Sequence, residues 1–169
     1  YRVLKPHIGL ESNQVDLSGL PIFVLANLFA GVTSVIANTS LAHPRKIDSA
    51  ALVRAIEEEQ IERIGASPML YERLLLADAK SLQTLKNLYM GGAPVMPRLL
   101  GRLKEAMPLC QFHILYGSSE AEPISSYESS ELSQSIQTKM QKGAGLFVGS
   151  VVPEIALAIW NQEDEVLQQ

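Results

Sequence analysis

The sequence is short of charge, of cysteine and of any basic excess. Asp, Glu, Lys and Arg make up 19% of its 169 residues, below the roughly 25% usual for soluble proteins. That argues against a disordered tail or a solvating linker. Fourteen basic residues against eighteen acidic ones leave a net charge of −4, which gives no electrostatic footprint for wrapping nucleic acid. One cysteine, Cys110, excludes an internal disulfide framework and a cysteine-based zinc site, and reads as a small buried apolar residue. His7, His43 and His113 lie far apart and lack metal-ligand spacing; His113, inside an apolar run, reads as a satisfied core or edge residue. Nothing near Tyr1 has the shape of a signal peptide, so the expected location is cytoplasmic. What is present in quantity is apolar surface: 47% of the residues are hydrophobic, and a chain of this length can bury a sizeable core.

From Leu17 to Pro44 there is no Asp, Glu, Lys or Arg. A run of that kind is nominally a membrane-span candidate. Pro21, Asn27, Gly31, Thr33, Ser34, Asn38 and Thr39 interrupt it, so no span is expected. The pattern predicts two buried elements in series: a helix from Pro21 to about Ala30 and a β-branched strand, Thr33 to Ala37. Elements without a polar face are what a parallel sheet covered on both sides produces.

The same rhythm continues. Asp48 or Ser49 caps a helix that carries Leu52, Val53 and Ile56 at helical spacing. Ile61 to Ala66 reads as a strand, and Ser67-Pro68 opens the next helix, with proline at the position whose N–H has no partner anyway. Leu85 to Met90 is a strand, broken by Gly91-Gly92-Ala93-Pro94. Pro97 opens a helix through Leu99, Leu100, Leu103 and Met107. Phe112 to Leu115 is a strand, ended by Tyr116-Gly117-Ser118-Ser119-Glu120. Strands alternating with helices predict α/β architecture with a parallel sheet and right-handed crossovers. The expected division is an α/β sheet unit over 1–125, a polar linker or hairpin helix over 126–145, and the start of a further β module over 146–169. Within the last stretch, Leu157 to Trp160 reads as a strand.

Open α/β sheets bind ligands outside the carboxyl ends of their strands. Three consecutive strands here end in Ser67-Pro68, Gly91-Gly92-Ala93-Pro94 and Tyr116 to Glu120. In a parallel sheet all three emerge at one edge. Gly91 and Gly92 let a flat base or another backbone approach closely. Tyr116 offers a stacking face. Ser118 and Ser119 supply hydroxyl and N–H groups for a phosphate. Glu120 suits Mg²⁺, which takes one or two carboxylates beside substrate phosphates. Each loop also has a plain reading: a turn for the glycines, a half-buried aromatic for the tyrosine. Gly143-Ala144-Gly145 with Gly149 is a fragment of a dinucleotide fingerprint, but it neither follows a strand nor opens a helix, so a loop is simpler. Gly117-Ser118-Ser119 lacks the second glycine of a nucleophile elbow.

Taken in order, these motifs resemble a known family. Tyr116-Gly117-Ser118-Ser119-Glu120 is similar to the Tyr-Gly-x-Thr/Ser-Glu motif of the adenylate-forming, AMP-binding superfamily. Gly91 to Pro94 sits at that family's usual upstream position, Ser67-Pro68 resembles its strand-end element, and Gly149-Ser150-Val151-Val152-Pro153 resembles the passage before its small β-barrel. Asp16-Leu17 through Pro21-Ile22-Phe23 to Thr33-Ser34-Val35-Ile36, with Glu120-Ala121-Glu122-Pro123, looks most like the fatty-acid-CoA-ligase-like group that includes the β-lactone synthetases of olefin biosynthesis. The resemblance implies one subdomain of the large N-terminal domain of such an enzyme. It implies ATP and Mg²⁺ as cofactors, a fatty acid as substrate, CoA as a candidate acceptor, and acyl-adenylate formation as the reaction. Gly91, Gly92 and Ala93 would line the adenine and acyl pocket, with Gly117 and Ser118 beside them. Tyr116 would stack on adenine, Ser119 would contact the α-phosphate, and Glu120 would help bind Mg²⁺, which makes Ser119 and Glu120 the expected catalytic pair.

The family's Ser/Thr/Gly-rich phosphate loop, its ribose-binding aspartate motif and its lysine-bearing C-terminal domain are not found among these residues. The sequence therefore reads as an interior slice of a longer enzyme. The slice alone is expected to be inactive, since loss of one preorganised donor costs about 10²–10³ in rate. It is also expected to self-associate through open sheet edges.

Overall fold

The computed structural model describes residues 4–39, 43, 46–118, 120–160 and 166–168. The element order is α1 (Leu4–His7), β1 (Val15–Ser18), α2 (Pro21–Ala30), β2 (Thr33–Val35), α3 (Ser49–Glu58), β3 (Arg63–Ala66), α4 (Pro68–Leu74), β4 (Asn87–Met90), α5 (Pro97–Ala106), β5 (Gln111–Ser118), β6 (Ala121–Glu128), α6 (Gln134–Gln141), β7 (Ser150–Val151), β8 (Ile159–Trp160) and β9 (Val166–Gln168). Two short 3₁₀ turns, Ala79–Leu82 and Ser129–Glu131, complete it. Seven strands form one sheet in the order β2-β1-β3-β4-β5-β6-β7. The first five are parallel to their neighbours; β6 and β7 join antiparallel. β8 and β9 form a separate antiparallel pair. No helix among the described residues is long and apolar enough to cross a membrane.

The α/β alternation expected from the sequence is the observed one, and its local causes are legible. Pro21, Pro68 and Pro97 each stand in the first turn of a helix, α2, α4 and α5, where the missing N–H costs nothing. Asp48 is the cap of α3 and accepts from the Ala50 N–H at 2.9 Å. Strand residues alternate between the two covered faces. Leu88 and Met90 join Leu52, Leu70 and Leu103 under α3, α4 and α5. Tyr89 and Leu115 pack instead with Leu4, Phe23 and Ala26 beneath α1 and α2. At Gly65 in β3 an added Cβ would lie 2.5 Å from the Phe23 ring, so the absence of a side chain there is what lets α2 settle on the sheet.

Three expectations are corrected. The stretch 126–145, read as a polar linker or hairpin helix, begins as strand: Ala121–Glu128 folds back on β5 and continues the main sheet, and Gln134–Gln141 is helical. Backbone pairing to β5 supplies what the polar composition did not advertise. Val15–Ser18, not expected as a strand, lies between β2 and β3. The helix α2 is buried on one face alone: Phe23, Ala26 and Asn27 are inside, while Leu25, Leu28 and Phe29 stand exposed on its outer side.

The reason β1 escapes an apolar reading is a buried polar network. Asp16 is fully buried, and Arg63 is its register partner across β1 and β3. The Arg63 Nε donates to Asp16 Oδ1 at 3.2 Å, and another guanidinium nitrogen donates to the Gly9 carbonyl (3.1 Å) and Gln14 Oε1 (2.9 Å). The second Asp16 oxygen accepts from the Ser18 hydroxyl (2.6 Å) and the Asn27 amide (2.8 Å), and that amide also reaches Ser34 on β2 at 2.9 Å. The guanidinium lies 4.6 Å over the Tyr89 ring, which stacks on His113 with centroids 4.6 Å apart. His113 is thus a partly buried sheet residue held by Tyr89 and by Asn87 at 3.2 Å, with desolvation lowering its pKa. Cys110 is buried, and desolvation pushes its thiol up to about 12.

Removing one partner of a buried pair leaves an uncompensated charge and costs about 3–5 kcal/mol. Asp16→Asn and Arg63→Met are each expected to lose that much in urea unfolding, and the double variant less than the sum. Losses under about 1 kcal/mol for both single variants would mean the network does not carry the sheet.

Candidate functional site

The carboxyl ends of β3, β4 and β5 are neighbours because these strands pair in parallel and in order. Ala66 faces Met90, and Met90 faces Ile114. β5 runs four residues further than β4, so Tyr116, Gly117 and Ser118, expected as a loop, are its last residues and overhang the sheet edge. Gly91 and Gly92 follow β4 directly. Gly92 has a φ of +73°, the left-handed region that residues with a Cβ avoid. The juxtaposition expected for Gly91 to Pro94 and Tyr116 to Glu120 is therefore the observed one. Ser119 lies outside the described residues.

Two cavities open at this edge. The first, about 440 Å³, is lined by Gly92 to Val95, Ile114 to Gly117, and Leu146 to Val148. Tyr116, half exposed, and the Gly92-Ala93-Pro94 turn both line it. The second, about 620 Å³, is bounded by Leu20 to Phe23 and Leu25 on one side, and by Gly91, Gly92, Gly117, Ser118, Glu120 and Glu122 on the other. Gly92 and Gly117 line both. Of the expected residues, Ala93 and Tyr116 belong to the first cavity, and Gly91, Ser118 and Glu120 to the second. Among the described residues, no group of three or more His, Cys, Asp or Glu side chains forms a metal cluster.

The electrostatics separate the two carboxylates of the second cavity. Glu120 stands in the turn between β5 and β6, fully exposed; a hydrogen bond from the Ser118 side chain holds its pKa below the ordinary value. It is ionised at neutral pH and open to solvent, which suits a hard cation shared with phosphate oxygens. Glu122 is half-buried, and desolvation raises its pKa. Its place follows from an irregularity in the hairpin. Tyr116 pairs with Ser125 and Ser118 with Ala121, so Gly117 alone spans the stretch Glu122 to Ile124. Such bulges bend a strand and re-aim side chains. A Cβ on Gly117 would sit 2.6 Å from the Ala121 carbonyl and 3.0 Å from Glu122 Oε2; the glycine is what leaves room for that carboxyl.

Sequence reading missed Glu122, Leu146 to Val148, and the wall formed by Leu20 to Leu25. A signal existed for the first: Glu122 stands two residues beyond Glu120, at the start of the strand that returns from the turn. Leu146 to Val148 carried none, since a short apolar stretch between glycines reads as a connection.

Comparison with known proteins agrees with the fold. The description "AMP-binding enzyme" matches residues 13–169, and the chain belongs to that family. It is similar to an olefin β-lactone synthetase from Stenotrophomonas maltophilia, 32% identical over 95% of this chain and 31% of that protein. An acyl-CoA ligase from Ajellomyces capsulatus is 28% identical over 85% of this chain and 24% of its own length. The chain thus spans about a third or less of the curated relatives it matches. Among solved structures, a luciferase-like enzyme from the nonluminescent mealworm Zophobas morio has the same fold, with a TM-score of 0.69 at 18% identity over 99% of this chain and 40% of that one.

Because burial raises the pKa of Glu122, the folded state holds its proton more tightly than the unfolded chain does. Its contribution to stability is present below the unfolded carboxylate value and is lost as pH rises through the folded one. Glu122→Gln is therefore expected to match the native protein near pH 4 and to exceed it in stability at pH 7, read by thermal unfolding across that range. A stability difference that does not change with pH would remove the burial argument.

Proposed function

We propose that the protein containing this chain is an ATP-dependent ligase that activates a fatty acid as its acyl adenylate and passes the acyl group to CoA or to a related acceptor. The observation that carries the reading is the meeting of Gly91 to Pro94 with Tyr116 to Glu120 at adjoining strand ends, with a cavity on either side of Gly92 and Gly117. The cavity lined by Tyr116, Gly92 and Gly117 offers a base an aromatic side chain and two residues without side chains. The cavity walled by Leu20, Ile22, Phe23 and Leu25 has the apolar side that an acyl chain needs.

In this reading adenine stacks on Tyr116 above Gly92-Ala93-Pro94. The α-phosphate meets the hydroxyl and backbone groups of Ser118, with Ser119 as the second contact that the family resemblance implies. Glu120 fits Mg²⁺, as an exposed, ionised carboxylate beside the phosphate positions. Bound there, the ion supplies neutralisation of phosphate charge. The substrate carboxylate oxygen attacks the α-phosphorus, the bond from that phosphorus to the bridging oxygen breaks, and pyrophosphate leaves with the electron pair. This chain's residues contribute mainly by positioning the two reactants, and by N–H and O–H groups aimed at the charge that develops. The names of the relatives support carboxylate activation followed by either of two fates, thioester formation or ring closure.

The test is pyrophosphate exchange into ATP by the full-length protein with a fatty acid. Tyr116→Ala removes one stacked base, worth about 1–3 kcal/mol, and is expected to raise the KM for ATP roughly tenfold. Glu120→Ala is expected to lower kcat by about 10²–10³, the scale of one preorganised electrostatic group. Unchanged kinetics in both variants would sink the assignment of the site.

A further inference from the structure

One wall of the Tyr116 cavity has no secondary structure to hold it. Leu146, Phe147 and Val148 line that cavity, yet none of them enters a backbone-to-backbone hydrogen bond among the described residues. Side chains of β6 hold the segment instead. The Ser125 hydroxyl donates to the Val148 carbonyl at 2.7 Å. The Tyr127 ring packs on Phe147, with centroids 4.9 Å apart and planes tilted by 57°. Ser125 and Tyr127 are both buried, and as residues two apart on a strand they share one face. The chain then passes to β7 through Gly149, where an added Cβ would lie 2.2 Å from the Ser126 carbonyl. The wall therefore rests directly on β6.

Strand register ties this wall to the rest of the cavity. Ser125 is the cross-strand partner of Tyr116, and Tyr127 is that of Ile114; Tyr116 and Ile114 both line the cavity. Directly opposed residues of an antiparallel pair lie on one face. A single register pair thus carries the aromatic ring on β5 and the anchor of the Leu146 to Val148 wall on β6. Ser125 is not itself among the lining residues, so it acts through Val148. We infer that Ser125 is a positioning residue for the nucleotide base: its hydrogen bond keeps Leu146 to Val148 in place for a base stacked on Tyr116. The inference rests on the assignment of this cavity to adenine. Without the hydroxyl the Val148 carbonyl loses its partner, and the cost of ordering the segment falls on the binding step.

The experiment is pyrophosphate exchange into ATP by the full-length protein, with the best substrate of a fatty-acid series from hexanoate to palmitate. Native enzyme, Ser125→Ala, Ser126→Ala, Tyr116→Ala and the double variant of Ser125→Ala with Tyr116→Ala are compared, with thermal unfolding as the control for folding. Ser126 is the reference: it is the next residue of the same strand, and its hydroxyl lies 3.2 Å from His7 Nδ1, away from the wall. Ser125→Ala is expected to raise the KM for ATP about three- to tenfold, the scale of one lost hydrogen bond, with kcat and the KM for the acid within about twofold. Ser126→Ala is expected to leave all three as in the native enzyme. In the double variant the two effects are expected to be less than multiplicative, because a base no longer stacked on Tyr116 gains little from the wall. Should Ser125→Ala not fold, Ser125→Cys, close in size with only a weak donor, is expected to show the same rise. An unchanged KM for ATP, an equal rise in Ser126→Ala or in the KM for the acid, or full multiplicativity with Tyr116→Ala overturns the inference and leaves adenylation standing. Absence of exchange by the native enzyme with every acid overturns the adenylation reading and the inference with it.

Discussion

The pair formed by Asp16 and Arg63 sets the arrangement on which everything else in this chain depends. The two residues are register partners across β1 and β3, and both are removed from water. A slip of one residue in either strand would send one of the charges to the opposite face of the sheet, where no counter-charge waits. The cost of a lone buried charge makes that slip prohibitive. The same carboxylate takes hydrogen bonds from Ser18 and Asn27, and so fixes α2 against the sheet, while Asn27 reaches Ser34 on the edge strand. Through the Tyr89 ring beneath Arg63 the constraint extends to β4, and through His113 to β5. Register fixed in the middle of the sheet decides how far each strand projects at its carboxyl end, and it is there that the cavities lie.

Much of this could be read from the residues in order. Apolar runs bounded by proline-led helices located β3, β4 and β5, and the parallel topology then forced their terminal loops together. The strand Val15–Ser18 could not be read in this way. Its polar residues Asp16 and Ser18 mimic a surface segment, and their justification, Arg63, stands far along the chain. β6 failed for a related reason. Ser125, Ser126 and Glu128 look like a solvated stretch, but their backbone groups complete the edge of β5, and the Ser125 hydroxyl donates to the Val148 carbonyl at 2.7 Å. Periodicity detects burial of side chains, and neither of these strands owes its place to that alone.

The candidate site was legible as far as its glycines, its tyrosine and its carboxylate. Its division into two cavities was not, because that depends on how far β5 overhangs β4 and on which side of Gly117 the returning strand lies. Residues adjacent in sequence are split between the two: Tyr116 lines one cavity, Ser118 the other, and Gly117 both. The two cavities thus share a wall at Gly92 and Gly117, residues without side chains.

The uneven hairpin has a consequence of its own. Between the pairs Tyr116–Ser125 and Ser118–Ala121, the residues Glu122 to Ile124 hang outside the regular ladder. Of these three, Glu122 lines the larger cavity, so a change of its side chain alters that cavity without altering a register pair with β5. The fold thus separates the positions that hold the sheet together from Glu122, a cavity position outside the β5 register, so that the cavity can be altered there while the ion pair at the centre of the sheet remains as it is.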